Sequence, residues 1–278
     1  MKFKVKRILF AFPLKLIKNF STRLVLSKIA TTMLTTVFQH MSREMSLKMA
    51  HHDNKVWLGF LHHMKIKSFS QMSQDLWVLY RTALRTKGFF VEVGSCHPTI
   101  LNNTFLLEST YSWDGILIEP NPYMANLLRA QRKSQVFESA IATGETIKLH
   151  LAQNPEFSST ETQLSKETHT LHEPTGEIVI VKCSTLTKLL AEGGCPSSFD
   201  FLSLDLEGGE LFALESLDLN QFRPLLISVE HNFGSSRELI AKYLIKQNYV
   251  LDPLSAKSSW DDWYIDKQYL QSINKTAI

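Results

Sequence analysis

Cysteine, glycine and proline are all scarce in this 278-residue chain, at three, eleven and nine residues. Cys96, Cys183 and Cys195 are too few and too scattered for a disulfide framework, and none forms a C-x-x-C pair. A reduced, cytoplasmic protein is therefore expected. So little glycine and proline excludes a collagen-like or proline-rich polymer. No window reaches the roughly 18 apolar residues of a membrane span. MKFKVKR followed by ILFAFPL has the order of a signal peptide. Its apolar run is short, ends at Lys15 and lacks a small-residue cleavage site, so it is expected to stay uncleaved.

Acid is missing too, but only from one end. Residues 1–43 hold nine Lys or Arg, and the first acid is Glu44. The total charge of +3 hides this, because the remaining residues carry a net of −6. A basic patch confined to one end argues against nucleic acid as the partner of the folded body. Residues 1–50 mix these bases with Leu, Ile and Phe at roughly helical spacing. Two readings stand: an amphipathic element on an anionic membrane at the inner membrane face, or a helical subdomain packed on the body. The second is preferred.

What is present in quantity is apolar: 44% of residues are hydrophobic and 21% charged, which excludes a disordered polymer and supplies a core. From about Ser68 strand-like and helix-like segments alternate. The expected order is helix 75–86, strand Phe89–Gly94, helix 101–109, strand Gly115–Pro120, helix 122–133 and a weaker strand 136–141. Two alternating segments, 147–152 and 178–183, flank a polar stretch and read as a hairpin with a long flap. Strands Phe199–Gly208 and Pro224–Asn232, helix 235–247 and short strands at 249–251 and 263–265 complete the set. Near-continuous apolar strands separated by helices predict a doubly wound, mostly parallel sheet covered on both faces. Residues 1–67 are read as a helical extension and 68–278 as the main domain.

Ligands of such sheets bind beyond the carboxyl ends of the strands. Four strands end in acid: Glu92 before Gly94, Glu119, Asp205 with Glu207, and Glu230. Buried in a strand such an acid is costly, whereas the sheet edge is expected to be wet and the acids there cheap. G-x-G-x-x-G is absent, so a dinucleotide fingerprint fails, but a nucleoside site survives. Glu119 can accept bonds from both ribose hydroxyls. Asp205 and Glu207, two apart, point the same way if the strand is extended. His231 beside Glu230 suits a general base near neutral pH. The same carboxylates could hold a divalent metal, which is not expected.

The ordered set SQMSQD (Ser70 to Asp75), FFVEVG, NNTFLLE (Asn102 to Glu108), GILIEPNP, SAIA, DFLSLDLEGGELFALESLDL and ISVEHN resembles the FkbM family over about residues 68–265. The resemblance implies a Rossmann-like, seven-stranded S-adenosylmethionine-dependent O-methyltransferase of sugars, glycans or natural products. It implies that Glu92, Gly94 and Ser95 line the methionine and ribose end of the donor, with Asn103 and Thr104 near that turn. Glu119 would hold the ribose, Asn121 would lie beside the adenine, and Ser139 and Ala140 would flank it. Asp205, Glu207, Glu230 and His231 would stand at the methyl-transfer site, His231 or Asp205 as base. The chain departs from the family at Cys96-His97-Pro98, where an acid and a glycine are usual. Two rivals remain: a binding protein that lost activity through that turn, and a nucleotide-dependent oxidoreductase.

Overall fold

The computed structural model describes residues 55–64, 67–161, 174–231, 236–255 and 260–276. The chain divides into two compact units, Met1–Met45 and Ser46–Ile278. The described residues all belong to the second, so the basic stretch 1–50, with both of its readings, lies outside them. The expected boundary at 67 falls inside this second unit. There α1 (Lys55–Met64) meets α2 (Gln74–Arg81), with the rings of Trp57 and Phe60 each 5.2 Å from that of Tyr80. No helix among the described residues is long and apolar enough to cross a membrane.

The strands, in chain order, begin with β1 (Phe89–Val93), β2 (Asp114–Ile118) and β3 (Gln135–Phe137). A peripheral group follows: β4 (Ala140–Ile141), β5 (Thr146–Ala152), β6 (Ser159–Thr160) and β7 (Pro174–Ser184). The set ends with β8 (Ser198–Leu204), β9 (Arg223–Glu230), β10 (Tyr249–Leu251) and β11 (Asp261–Asp266). Seven form one sheet in the order β10-β11-β9-β8-β1-β2-β3. Neighbours from β9 to β3 are parallel, and only β11 runs against β9 and β10. The order reverses between β1 and β8, so the crevice of a doubly wound sheet opens at their carboxyl ends.

Burial on both faces explains the strand composition. Phe90, Leu117, Phe201, Leu226 and Ile265 pack toward α1, α2, α3 (Phe105–Tyr111) and α4 (Pro122–Gln131). Their strand neighbours Val91, Val93, Ile116, Ile118, Leu202 and Leu204 pack toward α5 (Leu186–Glu192), α6 (Glu210–Glu215) and α7 (Ser236–Lys246). α8 (Lys267–Thr276) returns to the first face through Tyr269 and Leu270. Each fully buried aliphatic or aromatic side chain contributes about 1.5–3 kcal/mol before entropy is subtracted.

Several boundaries differ from their expected places. Ala83 and Leu84 are left-handed (φ 49° and 59°), which stops α2 at Arg81 rather than 86. The side chain of Asn102 accepts from the N–H groups of Thr104 and Phe105, so the following helix starts at Phe105 and not at 101. The weak strand expected at 136–141 is two pieces, and the second, β4, leaves the main sheet to pair with β7. The expected hairpin is present as antiparallel β5 and β7.

Candidate functional site

The carboxyl ends of β1, β2, β8 and β9 surround a cavity of about 450 Å³, the size of an ordinary small-molecule site. The flap after β5, Pro155–Thr160, forms its opposite wall with Gln71 and Trp260. Six carboxylates line it: Glu92, Glu119, Glu156, Asp205, Glu207 and Glu230. No Lys or Arg lines it among the described residues.

Three of the strand-end acids are not in a wet edge, as expected from sequence, but buried, while Asp205 and Glu207 are half-buried. Glu92, Glu119 and Glu230 are 3, 5 and 7% exposed. Such burial is tolerable only with hydrogen bonds, and the chain supplies them from elsewhere. Glu92 accepts from the backbone N–H of Asn103, the Thr104 hydroxyl and the Asn102 amide at 2.7–3.0 Å. Burial raises its pKa, and the nearby charge of Arg132 opposes the rise. Glu119 accepts the N–H of Cys96 on one oxygen and of Asn121 on the other, both at 2.8 Å. Burial pushes its pKa up to about 7. Each oxygen keeps a second lone pair in the cavity wall.

The third acid group sits on a turn, not on an extended strand. β8 stops at Leu204, and Glu207 and Gly208 both take positive φ (50° and 101°). Glu210, 2% exposed, holds this turn by accepting the N–H groups of Leu206 and Gly208 at 3.0 and 2.9 Å. Asp205 N–H still bonds Val93 O at 3.0 Å, extending the β1–β8 ladder to the cavity floor. Thus Asp205 and Glu207 do converge, though by a route other than strand alternation. Together with Glu230 they bring one carboxylate oxygen each to within 4.8 Å of the others. Burial, then neighbouring carboxylates, raise Glu207 to about 8; burial also raises Asp205 and Glu230, whose shared hydrogen bond lowers the first and raises the second.

His231 is the main displacement. It was expected to face these carboxylates, but its buried imidazole lies outside the cavity wall, with Nε2 3.6 Å from Asp262 Oδ1. Asp262 also accepts from Nε and Nη2 of Arg237. The reason is the strand period: consecutive residues point to opposite sides, so Glu230 inward puts His231 outward. Asn121 likewise turns from the cavity, because its side chain caps α4 by accepting from Tyr123 and Met124 N–H. Ser139 donates to the carbonyls of Ala140 and Lys182, and Thr104 to Glu92; neither lines the cavity, whereas Ala140 does. Gly94, Ser95 and Asn103 all lie in the wall. Asn103 donates to Ser203 Oγ, while its buried Oδ1 has no partner in the fold.

In the departing turn Cys96-His97-Pro98 the imidazole serves as a backbone acceptor. His97 Nδ1 accepts the N–H groups of Thr99 and Ile100 at 3.1 and 3.0 Å, the job an Asp side chain does in such turns. His97→Asp should therefore leave the melting temperature nearly unchanged. His97→Ala should cost about 1 kcal/mol, comparable to a lost cap. Equal losses for both in a thermal melt would show that the imidazole acts otherwise.

Two residues absent from the expected site hold it together. Glu210 is one; its place three residues after Glu207, at a helix start, was the available signal. Arg132, with a fully buried side chain, is the other. It donates to Glu108, Asn102, Thr104 and the Pro98 carbonyl, beneath the turn that carries Glu92's partners.

Comparison with known proteins adds the following. The family described as methyltransferase FkbM domain matches residues 92–251. No curated protein sequence matches the chain. Among solved structures, a TehB-like S-adenosylmethionine-dependent methyltransferase from Corynebacterium glutamicum is 9% identical, covering 78% of this chain and 98% of its own, with a TM-score of 0.38. A methyltransferase from Pyrococcus furiosus is 11% identical over 81% of this chain and 98% of its own, with a TM-score of 0.36. Precorrin-6y C5,15-methyltransferase from Geobacter metallireducens is 11% identical over 67% and 77%, also at 0.36.

Proposed function

Since the chain belongs to the FkbM family of S-adenosylmethionine-dependent methyltransferases, we propose that it methylates a hydroxyl of a sugar, glycan or glycosylated natural product. The observation that carries this reading is a single cavity with Glu119 at one side and Asp205, Glu207 and Glu230 at the other. S-adenosylmethionine supplies an already activated methyl group. The residues present suit it: Glu119 keeps lone pairs for ribose hydroxyls, the orphaned Asn103 Oδ1 can accept from its ammonium, and the carboxylate wall favours a cationic sulfonium.

The protein's remaining task is to align the acceptor oxygen and take its proton. Asp205 is the base in this reading. Burial raises its pKa above the usual carboxylate range, so it can take a proton and hold it closer to neutral pH. Asp205→Asn should lower kcat by about 10²–10⁴-fold while S-adenosylhomocysteine still binds. Mass spectrometry of a panel of neutral sugars and glycosides after incubation with the donor reads the product, a gain of one methyl. Absence of donor binding in calorimetry overturns the reading. The oxidoreductase rival needs a site for a pyrophosphate, which a wall of six carboxylates opposes. The inactive-protein rival rested on the Cys96-His97-Pro98 turn, in which His97 Nδ1 accepts two backbone N–H groups as an Asp side chain would.

Glu119 gives this reading a pH signature. Donor hydroxyls need the ionised carboxylate, so affinity should fall as pH drops through about 7, by about tenfold per pH unit. Stability runs the other way. A folded-state pKa raised above its unfolded value contributes stability below the unfolded pKa, and that stability is lost as pH rises through about 7. Glu119→Gln should therefore flatten the binding profile and weaken binding about 10- to 100-fold, and should flatten the pH dependence of ligand-free stability, although its amide leaves one of the two backbone N–H groups without an acceptor. Calorimetry and thermal melts at pH 5.5 and 8 test both halves; an unchanged profile in the variant removes Glu119 from the donor site.

A further inference from the structure

Asp205 and Glu207 come from the turn after β8, and Glu230 from the end of β9. Their three carboxylates meet with one oxygen each within 4.8 Å of the other two. Oxygens on one octahedral cation at about 2.1–2.4 Å lie roughly 3.0–3.4 Å apart when adjacent and 4.2–4.8 Å when opposite. No pair is farther apart than two oxygens on opposite sides of one cation. A second observation points to a ligand. Glu230 is more than nine-tenths buried and lines the cavity; its carboxyl shares a hydrogen bond with that of Asp205, and its Oε2 is left with no hydrogen-bond partner in the fold. A buried carboxylate oxygen left without a donor is expensive. The cavity wall offers it no Lys or Arg among the described residues.

We propose that Asp205, Glu207 and Glu230 bind one divalent cation of the hard, oxygen-preferring class, magnesium, manganese or calcium. All three donors are hard carboxylates, and neither histidine nor cysteine belongs to the group, which disfavours zinc and copper. Three protein ligands on a six-coordinate ion leave positions open to the cavity. Two neighbouring hydroxyls of a polyol can fill them. The site stands on the carboxylates; this use of it rests on the methyl-transfer reading. A hydroxyl bound to the cation loses its proton more readily. Its oxygen then bonds the methyl carbon, the sulfur keeps the electron pair of the broken carbon–sulfur bond, and the proton passes to the second oxygen of Asp205.

The full chain is titrated with manganese alone, read by electron paramagnetic resonance of the free ion, with magnesium and calcium as competitors. One strong site per chain is expected. Glu230→Gln and Asp205→Asn should each weaken it at least tenfold, while Glu156→Gln, in the same cavity but outside the group, should not. Thermal melts of each variant in chelator separate misfolding from loss of the site. Should a variant unfold, terbium luminescence on the wild-type chain, displaced by calcium, still decides the matter. No manganese site in the wild-type chain, or one insensitive to both ligand substitutions, overturns the proposal. S-adenosylhomocysteine binding is measured separately in chelator. If that ligand binds and manganese does not, the cation fails and the methyl-transfer reading survives; the reverse outcome sinks the reading and leaves the cation site.

Discussion

Arg132→Met should destabilise the protein by about 3–5 kcal/mol, near the limit of what one substitution does. The guanidinium has no exposed side-chain surface and spends its donors on four groups: Glu108 Oε1 at 3.1 Å, Pro98 O at 3.2 Å, Asn102 Oδ1 at 2.9 Å and Thr104 Oγ1 at 3.0 Å. Its planar head also lies over Phe90 and Phe105, 5.8 and 5.7 Å from the ring centroids. Methionine fills much of the volume but leaves two buried carboxylates without their cation. Burial alone would raise Glu108, yet bonds from Ser134 and the Arg132 charge bring its pKa below the usual value. Its contribution is therefore present above its unfolded pKa and lost as pH falls through the lower folded one. Arg132→Lys should recover only part of the loss, because one ammonium cannot serve a fork of four acceptors. Adding Glu108→Gln to Arg132→Met should restore part of it by removing one stranded charge. Urea unfolding at pH 7 reads all three. A loss under about 1 kcal/mol for Arg132→Met would mean that water replaces the guanidinium.

These residues also show where sequence reading stops. The main strands were legible because burial on both faces makes them continuous apolar runs: FFVEV, GILI, FDFLSL and PLLISV. The β5–β7 hairpin was legible from alternation, since one face is wet: Ile178 and Ile180 are exposed while Val181 is buried. The acids at the strand ends were legible as a set, but not their state. Their partners lie at other strand ends or in turns, as Cys96 does for Glu119, and period alone does not place a turn. His231 was misplaced although the two-residue period that turns it away from Glu230 was available; the residue type outweighed the geometry. Arg132 gave no signal. A basic residue at the end of an amphipathic helix reads as solvated, and its acceptors lie 24 to 34 residues away.

The second large effect belongs to Gly94, which has a positive φ of 81°. The approach of two backbones dictates it. Gly94 N–H bonds Ile118 O at 2.9 Å and Asp205 N–H bonds Val93 O at 3.0 Å, which draws the turn after β1 against the start of the turn after β8. A Cβ at Gly94 would overlap the backbone carbonyl oxygen of Asp205, and a carbonyl on a paired strand end cannot rotate aside. Left-handed strain costs about 1–2 kcal/mol and the overlap about 1–3 more. Gly94→Ala should thus lower stability by about 2–5 kcal/mol, or roughly 4–20 °C in melting temperature. Gly144 separates the two causes. Its φ of 93° is as unfavourable, but nothing lies within 4 Å of the added atom, so Gly144→Ala should show the strain alone. Function should separate them further. Whatever relieves the overlap must move Asp205 relative to β1, and with it the carboxylate that takes the proton. Methyl transfer should fall below detection in Gly94→Ala even at temperatures where circular dichroism shows it folded, and stay near the original level in Gly144→Ala. Equal melting losses in the two variants, or retained turnover in Gly94→Ala, would mean that β1 and β8 can separate at the cavity floor without consequence.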